Sequence, residues 1–366
     1  MGSELILGLD IGGANTKAAL LKFSNEKLKT SHSSIEYFPF WEKSIEEISG
    51  MLKRIIKSLV LNNQYKMDDI AHISVTITAE LSDAFQTKKE GITTIIKALK
   101  KTFNPSKLRF ISTENIYFSV NQAEMNPYKI AAANWVSTAL FLGYYIKNCI
   151  LVDAGSTTID VIPIKDSTPI PIGKTDVKRL MNHELIYTGG LRATIPSITH
   201  FVPYKNKKIR ISFEKFALVS DVHRILGNIS EVEYINDTAD NRSKSIDDCY
   251  ARLARTVCLD SDLVSEEDLD RIAEYVYKKQ VDIILKEFVD FMDLLCDREP
   301  VFKEDPLFII TGLSANFLIR KALEILKYQN IKTYEEIVGI PNHISSSAYA
   351  VAAALYYQNK GKKNEK

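Results

Sequence analysis

Two stretches of this chain follow one plan, and that repetition limits its fold more than any other feature. Residues 4–10, Glu-Leu-Ile-Leu-Gly-Leu-Asp, are an apolar run that ends in Asp10. Gly12, Gly13, Asn15, Thr16 and Lys17 follow, and then a second apolar run over 18–23. Residues 148–153 repeat the logic: an apolar run ends in Asp153, and Gly155, Ser156, Thr157 and Thr158 lead into the run 159–164. Short apolar runs separated by glycine and hydroxyl residues read as strand, tight turn, strand. A third strand-like run, 308–311, leads through Gly312, Ser314 and Ala315 into a helix ending near residue 329. A duplication at this scale points to two related halves facing a common cleft.

Between these elements the pattern alternates. Apolar spacing predicts a helix over 42–61, a buried strand over 71–77, a helix over 91–103 and a strand over 108–112. Strands alternating with helices give an α/β class. Alanine-rich helices are expected over 130–145 and 345–357. They either let backbones approach closely where the halves join or reflect helix propensity alone. The division expected is a first lobe over 1–129 and a second over 130–366, its terminal helix returning to the first. Charged helical sequence over about 204–300 reads as an insertion in the second lobe.

Composition excludes several classes. Forty-seven Lys and Arg oppose 46 Asp and Glu in 366 residues, a net charge of +1, so the basic excess of a phosphate-backbone binder is absent and no nucleic-acid partner is expected. Residues 130–146 form an uncharged, largely apolar stretch shorter than the ~20 residues of a membrane span, so no membrane partner is expected either. The four cysteines show no CxxC pairing, which suits a reduced, cytoplasmic protein. The six histidines, His343 among them, show no paired spacing, and none is assigned to metal or catalysis.

The two acid–glycine turns carry the chemistry. Glycine lets backbone N–H groups approach a phosphate because no Cβ intervenes. Gly12, Gly13, Asn15, Thr16 and Lys17 form one candidate phosphate loop; Gly155, Ser156, Thr157 and Thr158 form the other. Asp10 and Asp153, each at a strand end, can hold Mg2+ directly or through its waters. Glu80 and Asp83 lie in a charged segment after a strand, where α/β folds place binding residues, so they join Asp10 and Asp153 as catalytic candidates. Asn134 and Trp135 could stack on an aromatic substrate, although a Trp on an apolar helix also suits a core. Arg192, after Thr188 and Gly189, offers a planar fork to a carboxylate. Asp237, Asp240, Arg242 and Lys244 either close over a bound anion or belong to a surface insertion.

Taken in order, the three strand–turn elements resemble the superfamily of actin, sugar kinases and Hsp70 ATPase domains. That resemblance implies a duplicated actin-like (ribonuclease H-like), two-lobed fold with a helical insertion in the second lobe. It makes 10–17 and 153–158 the phosphate loops and places Gly312 in the adenosine loop. Leu313 departs from the second glycine usual in nucleotide-binding members, so ATP is not expected as a cofactor. A narrower resemblance rests on residues 7–17, 78–83, 87–91, 133–135, 152–160, 187–192, 237–240 and 252–255. These are similar to the hydantoinase/oxoprolinase-like family, in its branch tied to one-carbon metabolism and methanofuran biosynthesis. Gly190 stands where a larger apolar residue is expected.

The resemblance implies small-molecule partners and a transferase. The phenol oxygen of γ-glutamyltyramine is joined to an aminomethyl-furanmethyl diphosphate, an ether forms, and diphosphate leaves with Mg2+ assistance. Glu80, Asp83 and Asp153 remain alternatives for the base that takes the phenol proton. An ATP-dependent kinase or amidohydrolase of the same superfamily, and a nucleotide-sensing regulator, are the other readings. A homo-oligomer is allowed, since a helical insertion can serve as cap or dimer surface.

Overall fold

The description rests on a computed structural model and covers residues 3–339 and 346–361; His343 lies outside the described residues. Contacts divide the chain into two units, Met1–Asn148 with Ile164–Lys178 and Glu335–Lys366, and Cys149–Pro163 with Arg179–Tyr334.

In the first unit, β1 (Glu4–Gly12), β2 (Asn15–Ser24), β3 (Lys27–Tyr37), β4 (Ile70–Thr78), β5 (Leu108–Ile111) and β6 (Tyr117–Phe118) form one sheet in the order β3-β2-β1-β4-β5-β6. The strands β1 and β2 pair antiparallel across the Gly-Gly turn, whereas β1, β4 and β5 run parallel. The two-residue side-chain period sorts β1 into two faces. Leu7, Leu9 and Ile11 join Ile73, Val75 and Ile77 in a core closed by the helices Ile48–Ile56 and Lys88–Thr102. Gly8, Asp10 and Gly12 line up with Ser74, Thr76 and Thr78 on the other face.

That second face is small because a helix lies on it. The helix Ser346–Gly361 packs on β1, β2 and β4, and the Ser74 hydroxyl donates to the Val351 carbonyl at 2.7 Å. A Cβ on Gly8 would run into the Ala348 carbonyl. The alanines here therefore permit close approach as well as helix formation. The helix Asn134–Gly143 packs against this terminal helix, with the neighbouring Tyr144 ring stacked on Tyr357 at 3.9 Å. Both alanine-rich helices thus belong to the first unit, and its first segment ends at Asn148 rather than at residue 129.

Two helices differ from their expected spans for local reasons. The segment expected to be helical over 42–61 is a 3-10 turn at Ile45–Glu47, an α-helix Ile48–Ile56 and a π turn Lys57–Leu61. The helix expected from 130 starts only at Asn134. Ala132 has φ of +46° and donates its N–H to the Ile77 carbonyl at 3.0 Å, so residues 131–132 pair alongside the end of β4 instead.

In the second unit β7 (Cys149–Ala154) and β8 (Ile159–Lys165) flank the second turn; the last two residues of β8, and β9 (Thr168–Pro169) paired with them, are counted with the first unit. With β10 (Leu185–Ile186), β13 (Phe308–Thr311) and β14 (Ile331–Thr333) they give the order β10-β8-β7-β13-β14, once β11 (Phe201–Tyr204) and β12 (Lys207–Arg210) are set aside as a separate hairpin. That hairpin and the helices Val219–Ile225, Ile246–Arg255 and Glu266–Arg298 build a core of their own around Val222, Leu253, Ile272 and Val276.

Replacing Gly8 by Val should lower the unfolding free energy by about 2–3 kcal/mol, because helix and sheet must separate to admit the side chain. Urea unfolding of the purified variant measures it.

Candidate active site

In the first unit the site grows from the carboxyl end of β1 and β4. Asp10 pairs in register with Thr76 on one side and Lys17 on the other, so the three side chains share a face. The Ser347 hydroxyl donates to Asp10 Oδ2 at 2.5 Å. Asp10 Oδ1 and Thr76 Oγ1 are buried and have no hydrogen-bond partner among the described residues. A buried carboxylate oxygen beside a buried hydroxyl, both unsatisfied, is costly unless a ligand or water completes them.

The turn itself is held by its carbonyls. Ala14 and Gly13 accept from the N–H groups of Phe38 and Phe40, each at 2.9 Å, while the N–H groups of Gly13 and Ala14 make no hydrogen bond among the described residues. A Cβ on Gly12 would sit 2.8 Å from the Asn15 carbonyl, so glycine is required there; Gly13 has open space around it. Asn15 begins β2, opposite Tyr37. Thr16 turns the other way: it pairs with Ile11 and is fully buried on the core face, away from Asp10.

Glu80 lies two residues beyond β4 and is 2% exposed, with neither carboxylate oxygen hydrogen-bonded among the described residues. Burial raises its pKa to about 7, opposed by the nearby backbone N–H groups of Glu80 and Ala132 and by Lys88, and assisted by Asp176. The Ala132 N–H is already committed to Ile77. Lys88 and Asp176 form an ion pair at 2.7 Å. Asp83 is exposed, Asn134 half-buried, and Trp135 only 2% exposed, inside the helix packing rather than on a surface.

The second unit brings its expected residues together through backbone contact. The Gly155 N–H donates to the Thr158 carbonyl at 2.9 Å, closing the turn over Ser156 and Thr157. The N–H groups of Gly190, Leu191 and Arg192 donate to the carbonyls of Gly155 and Ser156 at 3.0–3.1 Å. A Cβ on Gly189 would fall 2.6–2.7 Å from backbone atoms of Gly155, Ser156 and Thr157. From a third side, Ser314 donates its N–H to the Ala154 carbonyl at 3.0 Å. Gly312 has φ of +94°, and a Cβ there would meet Asp153 Oδ1 at 2.8 Å. Thus Asp153, Gly155, Ser156, Thr157, Thr158, Thr188, Gly189 and Gly312 form one cluster, with Arg192 exposed at its edge. A larger residue at 190 has no room, since its Cβ would lie 2.9 Å from Ser314 Cβ.

Other expected residues serve elsewhere. Asp160 pairs with buried Arg179 at 2.8 Å. Arg252, fully buried, donates to Asp221 at 2.8 Å and to Asp240 and the Ser243 carbonyl at 3.1 and 3.0 Å; Arg255 also grips Asp240, at 2.8 Å. Asp240 therefore anchors its own loop to the helix Ile246–Arg255. Leu313 packs with Leu191, Ile229, Tyr234 and Cys249.

Sequence reasoning passed over Ser347, Thr76, Asp176 and Gln280. Thr76 was visible as the residue opposite Asp10 once β1 and β4 are paired; the other three have no local signal. Among the described residues no three His, Cys, Asp or Glu side chains cluster as metal ligands, and no helix is long and apolar enough to cross a membrane.

The hydantoinase/oxoprolinase family profile matches residues 72–360. The chain belongs to that family. A protein of Methanocaldococcus jannaschii named (4-{4-[2-(gamma-L-glutamylamino)ethyl]phenoxymethyl}furan-2-yl)methanamine synthase is 34% identical over 355 residues, covering 97% of this chain and 98% of its own. A synthase of the same name from Methanococcus vannielii is 31% identical over 220 residues, 60% of this chain and 95% of that one. Among solved structures, nucleotide-free acetone carboxylase aligns with a TM-score of 0.51 at 11% identity, over 96% of this chain and 70% of that one. That likeness identifies the fold as actin-like, as the superfamily resemblance of the three strand–turn elements implied.

Because Glu80 holds its proton to about pH 7 when folded but releases it near 4.5 when unfolded, its contribution to stability is lost as pH rises through that window. Relative to wild type, Glu80→Gln should gain about 2 kcal/mol of unfolding free energy between pH 5 and pH 8. Denaturant titrations at the two pH values test the sign.

Proposed function

We propose that this chain is an ether-forming synthase that joins the phenol oxygen of γ-glutamyltyramine to an aminomethyl-furanmethyl diphosphate and releases diphosphate. The observation that carries the reading is the match to the Methanocaldococcus jannaschii synthase over nearly the whole of both chains. The geometry supports it. Each unit presents one acid–glycine turn, each by itself a candidate phosphate loop: Gly12 and Gly13 with Lys17 in the first unit, Gly155, Ser156, Thr157 and Thr158 in the second. Backbone N–H groups of the kind left unpaired at Gly13 and Ala14 stabilise charge as it develops on a leaving group. Leu313, committed to apolar packing where a nucleotide-binding relative carries glycine, fits a protein that does not use ATP.

The carbon–oxygen bond to diphosphate breaks as the phenol oxygen bonds to the furan methylene, and the phenol proton goes to a base. Glu80 suits that role best of the three carboxylates. It is buried, has no hydrogen-bond donor among the described residues, and is half ionised near pH 7. Asp83 is exposed, and Asp153 is packed against Gly312. Asp10 Oδ1 and Thr76 Oγ1 are hard oxygen donors lacking a partner among the described residues, which fits Mg2+, a cation commonly held by one or two carboxylates and substrate phosphates; Asp153 is the second candidate ligand. When bound, Mg2+ screens the charge of the departing diphosphate.

Incubation with both substrates, followed by mass detection of the ether, tests the reading; no ether from folded protein with Mg2+ present defeats it. Turnover should rise with pH through about 7 as Glu80 ionises. Glu80→Gln should cut kcat by about 100-fold or more and abolish that rise.

A further inference from the structure

A chain of buried polar groups in the second unit runs from the Gly155–Thr158 turn into the helical region. Gln280, on the helix Glu266–Arg298, is fully buried. Its side-chain amide donates to Thr188 Oγ1 at 3.0 Å and to the Gly189 carbonyl at 2.9 Å. Its Oε1 lies 3.0 Å from His223 Nε2, and His223 Nδ1 lies 3.1 Å from Asn228 Nδ2.

One carbonyl sets the direction of every bond in this chain. The Gly189 carbonyl can only accept, so the Gln280 NH2 must face it and Oε1 must face His223. His223 then carries its proton on Nε2, leaving Nδ1 to accept from Asn228. A second proton on the ring would set N–H against N–H at Asn228. Burial, with the ring 4.5 Å from Phe317, pushes its pKa down to about 4 and keeps it neutral.

Gly189 is the residue that touches three backbone positions of the turn, and its neighbours at 190–192 supply the N–H groups bonded to Gly155 and Ser156. We infer that Gln280, oriented by neutral His223 and Asn228, is a positioning residue that fixes the Gly155–Thr158 turn in its diphosphate-binding shape by way of Thr188 and Gly189. The inference rests on the assignment of that turn to diphosphate. It does not require the ether-forming reaction, because inorganic pyrophosphate alone can probe it.

The test uses the full chain with Gln280→Met, which keeps side-chain volume but removes both donors and the acceptor. Calorimetric titration with Mg2+ and pyrophosphate should show binding at least tenfold weaker than wild type. In turnover, KM for the furan diphosphate should rise while KM for γ-glutamyltyramine stays within twofold. A lowered Tm with both constants unchanged would assign Gln280 to stability alone and overturn the inference. Should Gln280→Met fail to fold, Asn228→Ala, which removes the hydrogen bond that holds the far side of the His223 ring against Gln280, is expected to weaken pyrophosphate binding about threefold; unchanged binding overturns the inference. Wild type that binds no pyrophosphate also overturns it. Pyrophosphate binding without ether formation overturns only the proposed reaction.

Discussion

Backbone meeting backbone without an intervening side chain is the constraint on which both units depend. In the second unit Gly189 and Gly312 let two further segments close on the Gly155–Thr158 turn, and a methyl at either position would overlap main-chain atoms. In the first unit Gly8 lets the terminal helix lie directly on β1, bringing Ser347 to Asp10. Glycine therefore acts here less through unusual dihedral angles than through missing volume. Of these three, only Gly312 has a positive φ.

Buried charge is treated in two opposite ways. Arg252 is enclosed but satisfied by Asp221, Asp240 and a carbonyl, the pattern of a structural clamp whose loss would leave a charge stranded. Glu80 is enclosed with no hydrogen bond among the described residues and takes up a proton instead. The first arrangement uses its polar capacity to hold a loop; the second leaves both carboxylate oxygens without a hydrogen bond among the described residues. This contrast separates the two sets of charged motifs, which look alike as strings of Asp, Glu, Arg and Lys.

Legibility followed the range of the interaction. The strands ending in Asp10 and Asp153 and their glycine turns could be read because period-two burial and turn chemistry act over a few residues. The resemblance made 153–158 a phosphate loop and 311–315 the adenosine loop, but that 188–192 closes on the same turn is seen only in the fold, through the contacts of Gly189 and the N–H groups of 190–192. The late start of the helix at Asn134 was illegible, since the competing partner of Ala132 is Ile77, far away in sequence. Thr16 looked like a phosphate ligand beside Asp10, but adjacent residues on paired strands face opposite sides of the sheet. Gln280 sits in a helix rich in charge, where a lone Gln looks like any surface residue.

The sequence by itself determined the duplicated strand–turn plan, the α/β class and the family, because each is encoded in local pattern or in residue identity along the chain. Tertiary structure alone decided which acids are satisfied and which are left waiting, and which glycines carry a close contact. Hydrogen bonds and excluded volume between segments distant in the chain have no signature in the order of residues, only in the folded backbone that brings them together.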